Sequence, residues 1–326
     1  MARYLIGRVL QALLVLWIAY TATFFLLSVL PGDGIMIKFE NPEMGLSASE
    51  IESLRAYYGV DDPTIVQYIH ALIGTLQGDL GYSIQNAVPV RERLATAIPQ
   101  TLSIAVPAFV VAVLLAGVFA LLAATARFAW LRRLIQSVPS VLVSLPSFWV
   151  GLIFIQVFSF QLGWIPMINP GPIQAVLLPV ITLAIPISAP LAQIFLRSLE
   201  QAQGRPFVQV VQAKGGTRWW ILSRHTAKNA LLPTLTMAGL IFADILAGSV
   251  VVETVFGRPG IGRLMADAVA SQDLPVIQAV VIIAAALFVT VNLVVDLLYP
   301  VLDPRLRRRW SRPRAETVVE LKEAVA

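Results

Sequence analysis

The stretch Leu102–Ala126, LSIAVPAFVVAVLLAGVFALLAATA, holds no charged side chain. As an α-helix rising 1.5 Å per residue it extends about 37 Å, enough to cross a hydrocarbon core of about 30 Å. Five more stretches share this character: about 9–30, 134–160, 173–196, 230–252 and 275–299. Together they explain why apolar residues make up 57% of the chain and charged residues 13%, against roughly half and a quarter in a soluble domain. A chain of 326 residues so poor in charge cannot cover a water-facing surface and needs lipid as part of its solvent. The expected fold is an all-α membrane protein, one bundle of six transmembrane helices.

Residues 1–30 read as the N-terminus and a retained first span. The apolar run is too long for the core of a signal peptide, and Leu30-Pro31-Gly32-Asp33 is not a small-residue cleavage site. Pro139 and Pro146 are expected to break the third span, and Pro179, Pro186 and Pro190 the fourth, because each proline removes a backbone donor. Membranes tolerate such breaks where neighbouring helices or a water-lined cavity satisfy the freed carbonyls. Pro146 and Pro186, with Gln193 and Asp244, are therefore candidate pathway-lining positions; kinks that only aid packing are the alternative reading.

The charges decide orientation. The gap 127–133 carries Arg127, Arg132 and Arg133 with no acid, and 197–229 carries Arg197, Arg205, Lys214, Arg218, Arg224 and Lys228 against Glu200. The tail 303–326 begins with Arg305, Arg307, Arg308 and Arg309. With six spans these segments share one side with Arg3 and Arg8. On the other side 161–172 is uncharged, and 253–275 sets Glu253, Asp267 and Asp273 against Arg258 and Arg263. By the excess of Lys and Arg on cytoplasmic loops, both termini are cytoplasmic. The formal charge of +5 thus belongs to membrane sidedness, not to nucleic-acid binding.

The segment 31–98 is then external. It has nine acids (Asp33, Glu40, Glu43, Glu50, Glu52, Asp61, Asp62, Asp79 and Glu92) and four bases. Ser47 or Ser49 can cap a helix over Glu50–Tyr58 stopped by Gly59, and Asp62-Pro63 can open another through Leu76, ended near Gly78. This is a small helical insert between the first two spans. The remainder, 99–302, forms the core with spans two to six and the loop 197–229.

That loop is too long for a plain connection and too apolar to be disordered. Pro206 suits the first turn of a short helix, Phe207–Lys214, and Gly215-Gly216 suits its stop. Thr217 can cap a second helix carrying Trp219 and Trp220, which runs through Asn229 into the fifth span. A short helix across the span ends, small at Ala213 and Gly215, is shaped to enter a partner's groove; resting on lipid is the alternative.

Here a resemblance enters. Gln209-Val210-Val211-Gln212-Ala213-Lys214-Gly215, followed by Arg224-His225 and Asn229-Ala230-Leu231-Leu232-Pro233, resembles the cytoplasmic EAA loop of binding-protein-dependent ABC importers, in the form found in the peptide/nickel permease family. Leu30-Pro31-Gly32-Asp33, Gly78-Asp79-Leu80-Gly81-Tyr82-Ser83, Pro89-Val90, Gln100-Thr101-Leu102 and Ser144-Leu145-Pro146-Ser147-Phe148 match its other landmarks in order. So do Glu253-Thr254-Val255-Phe256-Gly257-Arg258-Pro259-Gly260-Ile261-Gly262, Asp296-Leu297-Leu298-Tyr299 and Leu302-Asp303-Pro304-Arg305. The large insert after the first span is similar to that of the B-type subunit. Two departures stand out: Gln209-Val210-Val211 replaces Glu-Ala-Ala, which alters the docking contacts, and Gly34 replaces the usual proline.

The resemblance implies a type I importer permease fold and a multi-pass subunit of a bacterial or archaeal plasma membrane. It implies a heterodimer with a second, similar permease, two cytoplasmic ABC ATPases, and an external binding protein or lipoprotein that delivers peptides or similar small solutes. Phe207, Val210, Val211, Ala213, Lys214, Gly215 and Gly216 would carry coupling to the ATPases. No cofactor is expected on this chain, which has no G-x-x-x-x-G-K-[ST] phosphate cradle; ATP and Mg belong to the partner ATPases. Nickel, glutathione, haem and opines are other cargoes that travel through similar subunits.

Other classes fit less well. An ion-coupled carrier or channel usually places charge near the midplane. Asp244 lies about 21 Å from the cytoplasmic face and Asp296 about 31 Å from the outer one, where Arg305 or Arg307 can pair with it. Asp244 either lines a substrate path or pairs with Asn292 or a water. Those depths separate the two aspartates too far for an aspartyl enzyme, and His70 and His225 fall on opposite sides, which leaves no zinc-protease pair. The absence of cysteine excludes disulfides and thiolate metal sites.

Overall fold

The computed structural model describes residues 2–28, 47–58 and 62–302. The Leu30-Pro31-Gly32-Asp33 string with Gly34, Gly59, and the tail 303–326 with Arg305 and Arg307 lie outside the described residues. Among the described residues, five helices are long and apolar enough to cross a membrane. They are α1 (Ala2–Ser28), α4 (Val90–Thr125), α7 (Gln174–Gln203), α10 (Ala227–Val255) and α12 (Leu274–Leu302). Short α9 (Arg218–Ile221) and a π-helical turn, Leu222–Thr226, run directly into α10, so Arg218–Val255 is one helix of 38 residues. The sixth span is a bent pair. α5 (Ala129–Val143) meets α6 (Ser147–Phe154, continued by π-helical Ile155–Gln161) at 98°.

The bend sits at Pro146, which is extended (φ −62°, ψ 131°) and precedes the first turn of α6. It has no N–H to continue the α5 ladder, and its ring disfavours helical backbone at Leu145. Pro139 lies inside α5 without interrupting it. The fourth span corrects the expectation of a break: α7 runs unbroken through Pro179, Pro186 and Pro190. It is the most enclosed span, with 56% of its apolar window buried against 6% for α1. Packing on both sides holds the helix where three backbone bonds are missing.

In lipid, helices associate through close packing rather than through escape from water. Ala105, Ala108, Ala112, Ala116, Ala120 and Ala123 form a buried ladder along α4 at helical spacing. Their small side chains let α4 and α7 approach closely, and α10 closes the core through Ile241, Phe242, Ile245 and Val252. Two satellite clusters mark the ends of the bundle. At one end Val90 and Leu94 of α4 meet Ile261 and Leu264 of α11 (Ile261–Ala270) and Val276 of α12. At the other, Ala123, Leu199, Leu222 and Ala230 pack together. The gaps 127–133 and 197–229 therefore share one end, the basic end, and 253–275 shares the opposite end with the insert. This is the sidedness expected from the charges.

In the insert, α2 (Ala48–Tyr58) opens with a reciprocal cap. The Ser47 N–H donates to Glu50 Oε2 at 2.7 Å, and the Glu50 N–H donates to Ser47 Oγ at 3.3 Å. The Ser47 backbone and hydroxyl donors hold the Glu50 carboxyl below its usual range. Helix α3 (Thr64–Leu76) starts after Pro63 and ends before Gly78, whose φ of +86° suits a helix stop.

Candidate functional site

At the basic end, α8 (Pro206–Ala213) lies between the ends of α7 and α9 with Pro206 in its first turn. Gly215 terminates it at φ +87°, with its N–H donating to the Gln212 carbonyl at 2.9 Å; the Gly216 N–H donates to the Val211 carbonyl at 3.0 Å. The Thr217 hydroxyl then accepts the Trp220 N–H at 3.3 Å and starts α9. The segment is a bracket: a short helix, a glycine corner, and a long helix that reaches the far end of the bundle.

The expected coupling residues divide into two sets. Val210 is 55% exposed, and Ala213, Lys214 and Gly215 are exposed beside it. Phe207, Val211 and Gly216 are half-buried and hold the ledge in place. Val208 and Ile221 are buried beneath it, and the His225 ring lies 4.8 Å from Trp220 and 6.4 Å from Phe207. A Cβ on Gly216 would stand 2.9 Å from the Val211 carbonyl oxygen, whereas one on Gly215 would meet nothing within 4 Å. Gly216 is thus needed for space and Gly215 for its left-handed backbone.

Asp244 lies on an exposed stripe of α10 with Thr236, Leu240, Ala247 and Val251, opposite the buried stripe of Ala238, Ile241, Ile245 and Val252. Among the described residues no hydrogen bond or ion pair reaches its carboxylate. Asn292 instead donates to its own Phe288 carbonyl at 2.9 Å and sits beside Gly239. Gln193 reaches Ser140 at 3.4 Å, Pro146 is exposed at the bend, and Pro186 is half-buried. No hydrogen bond among the described residues joins any two of these four positions. Asp296 pairs with Arg8, Nε to Oδ2 at 3.2 Å, which brings the start of α1 beside the basic end of α12.

Two buried carboxylates organise the insert end. Glu253, near the end of α10, is fully buried and accepts from the Thr101 hydroxyl and from the Arg263 N–H at 3.1 Å. Thr101 in turn accepts the Ile261 N–H at 2.7 Å. Nearby, Arg258 donates to the Ala175 carbonyl at 3.0 Å, to Gln100 Oε1 at 2.7 Å and to Ser103 Oγ at 3.2 Å. Burial lowers the Arg258 guanidinium from its usual value, and the Glu253 carboxylate opposes that shift. Asp273, also fully buried, accepts from the Ser83 hydroxyl, from the Ile84 N–H at 3.1 Å and from Arg93 at 3.4 Å. One carboxylate ties α4, α10 and α11 together; the other pins the insert to the start of α12.

The family model described as the inner membrane component of binding-protein-dependent transport systems matches residues 116–308, and that for the N-terminal part of such a membrane component matches 1–105. The chain belongs to this family of transport-system inner-membrane components. The glutathione transport system permease protein of Escherichia coli strain K12 is 35% identical over 94% of this chain and 99% of its own length. Its counterpart in Shigella boydii serotype 4 is 34% identical over the same shares. A crystal structure of an amino acid ABC transporter with histidines shares the fold at a TM-score of 0.50 and 20% identity, over 64% of this chain and 93% of that one.

The chain is therefore a multi-pass, all-helical permease of the type I fold and a translocation subunit of an ATP-driven importer, with ATP hydrolysis residing in separate subunits. Within the permease, Glu253, Asp273, Thr101 and Arg258 tie the insert end together, a role that the sequence did not assign to them. Glu253 read as an acid in a gap and the first residue of a family landmark, and Asp273 only as an acid in that gap. The nearest sequence signal was the run Gly257 to Gly262, in which Gly260 and Gly262 leave room for the Glu253 carboxylate.

Proposed function

We propose that this permease pairs with a second, similar permease and two cytoplasmic ATPases, receives cargo from an external binding protein, and keeps both termini in the cytoplasm. The ledge of Val210, Ala213, Lys214 and Gly215 docks on the ATPases. The observation that carries this reading is the continuity of Arg218–Val255: a push on α8 at the basic end is passed along one continuous helix to the insert end. ATP and Mg act in the partner ATPases, and the permease converts their closure into a change of access.

Small peptides are the proposed cargo class, glutathione included. The reading is supported by the 35% identity to glutathione transport permeases and by the peptide/nickel landmarks in the sequence. Asp244, carrying an uncompensated carboxylate on the free stripe of α10, faces the second permease across the pathway, since a bare carboxylate in lipid is costly. Pro146, Pro186 and Gln193 are retained as pathway candidates.

Docking is tested in the reconstituted importer with Ala213→Trp and Gly215→Val. ATP hydrolysis is expected to continue while cargo uptake falls to background. Normal uptake in both variants would remove the docking assignment.

A further inference from the structure

We infer that α3 is an interfacial helix seated in the outer leaflet, with Ile65, Ile69, Ile73 and Leu76 among the lipid chains. The insert is the most acidic part of the chain, yet α3 (TIVQYIHALIGTL) contains no Asp, Glu, Lys or Arg. Its four large aliphatic side chains are 58%, 48%, 47% and 79% exposed. At 3.6 residues per turn they fall within about 80° of arc. A different side of the helix faces protein. The Tyr68 hydroxyl pairs with Thr21 Oγ1 at 2.8 Å, and the Tyr68 ring meets Tyr20, Phe24 and Phe25 of α1 at 5.8, 5.4 and 5.5 Å. Gln67 and Gly74 lie on the side roughly opposite the aliphatic stripe, and exposed His70 flanks it about 100° from the stripe's centre.

The depth of these contacts identifies the occupant. The apolar stretch of α1 runs Ile6–Leu27, so Tyr20 to Phe25 lie about 3–10 Å inside its insert end. An amphipathic helix in a bilayer interface buries its apolar face by about 5–10 Å. Phe25 and Leu26, at the same end of α1, are also 38% and 72% exposed. A protein interface would be expected to carry aromatic or arginine anchors; the stripe is aliphatic throughout. Lipid below, α1 beside and water above account for all three sides of the helix. The inference rests on the proposed orientation only for naming the leaflet as the outer one.

The chain has no cysteine, so single nitroxide labels can be placed in the assembled importer in lipid nanodiscs. The expected result is that Ile69→Cys and Ile73→Cys collide more with oxygen than with a water-soluble nickel chelate, and that Gln67→Cys and His70→Cys show the reverse. Leu76→Cys, at the most exposed position, gives the same reading if a central variant fails to assemble. Nickel access at 69 and 73 would overturn the inference, as would shielding from both reagents, which would mean that the second permease or the binding protein covers the stripe. A reversed orientation in the membrane would leave this contrast intact, so its failure is distinguishable from failure of the topology.

Discussion

Thr101 and Glu253 are 152 positions apart in the chain and meet in a hydrogen bond sealed from solvent on both sides, each side chain fully buried. Because Thr101 also accepts the Ile261 N–H, one hydroxyl satisfies a carboxylate of α10 and the buried first-turn amide of α11. Replacing Thr101 by Val keeps the shape and removes both bonds. Each buried group left without a partner costs about 1–3 kcal/mol. Thermal unfolding of the assembled importer should show a lowered midpoint for Thr101→Val and a near-parental one for Thr101→Ser. Equal midpoints for Val and Thr would show that the bond is energetically idle.

The glycines of the same segment separate space from backbone freedom. A Cβ on Gly260 would stand 2.2 Å from the Glu253 carboxyl, and one on Gly262 would stand 2.4 Å from the Val250 Cα, whereas a Cβ on Gly257 meets nothing within 4 Å at its φ of +65°. Overpacking costs typically about 1–3 kcal/mol and more against backbone; a single left-handed residue costs about 1–2 kcal/mol. Gly262→Ala should therefore accumulate much less in the membrane than Gly257→Ala. Immunoblots of membrane fractions give the comparison, and equal levels would contradict the tight contact.

Asp273 holds the insert. Removing one partner of a buried ion pair costs about 3–5 kcal/mol, and Asp273→Ala leaves the Ile84 N–H unpaired and Arg93 with only the Ser83 hydroxyl. The segment Gly81–Ala87 should become sensitive to protease added from the insert side, with the spans still in place. Protection equal to that of the parent would show that other contacts hold this segment.

The Arg8–Asp296 pair should behave differently. Its side chains are 40% and 18% exposed, and exposed pairs contribute about 0–1 kcal/mol. Asp296→Asn is expected to leave the unfolding midpoint within about 1 kcal/mol of the parent, with any difference fading in high salt. A loss as large as that of Thr101→Val would mean that α1 depends on this pair.

Local signals were legible in the sequence and distant ones were not. The Ser47 cap, the stop at Gly78, and the start at Pro206 with its stop at Gly215 rest on a few neighbouring residues, and each was found where expected. Apolar length located the spans, although α4 starts before the stretch 102–126, where Val90, Leu94 and Ala97 pack against α11 and α12, and α10 runs past 252 to the buried Glu253. Prolines were ambiguous. Pro146 bends its span and Pro186 does not, and what separates them is how tightly each helix is enclosed, which no local pattern records. Glu253 and Asp273 were opaque for a related reason: their partners lie 152 and 190 positions away, and pairing at such range leaves no periodicity. The proposed coupling residues lie in one short segment, but only the structure divides exposed Val210, Ala213, Lys214 and Gly215 from half-buried Phe207, Val211 and Gly216.

The sidedness of the bundle underlies both docking and alternating access, and single-cysteine labelling tests it most directly. Ser49→Cys and Ala213→Cys, in the otherwise cysteine-free chain, are exposed to a membrane-impermeant thiol reagent in intact cells with the outer barrier opened. Position 49 should label at once, and position 213 only after the inner membrane is breached, with the ATPases slowing the reaction there. Labelling of both from the same side would contradict the account.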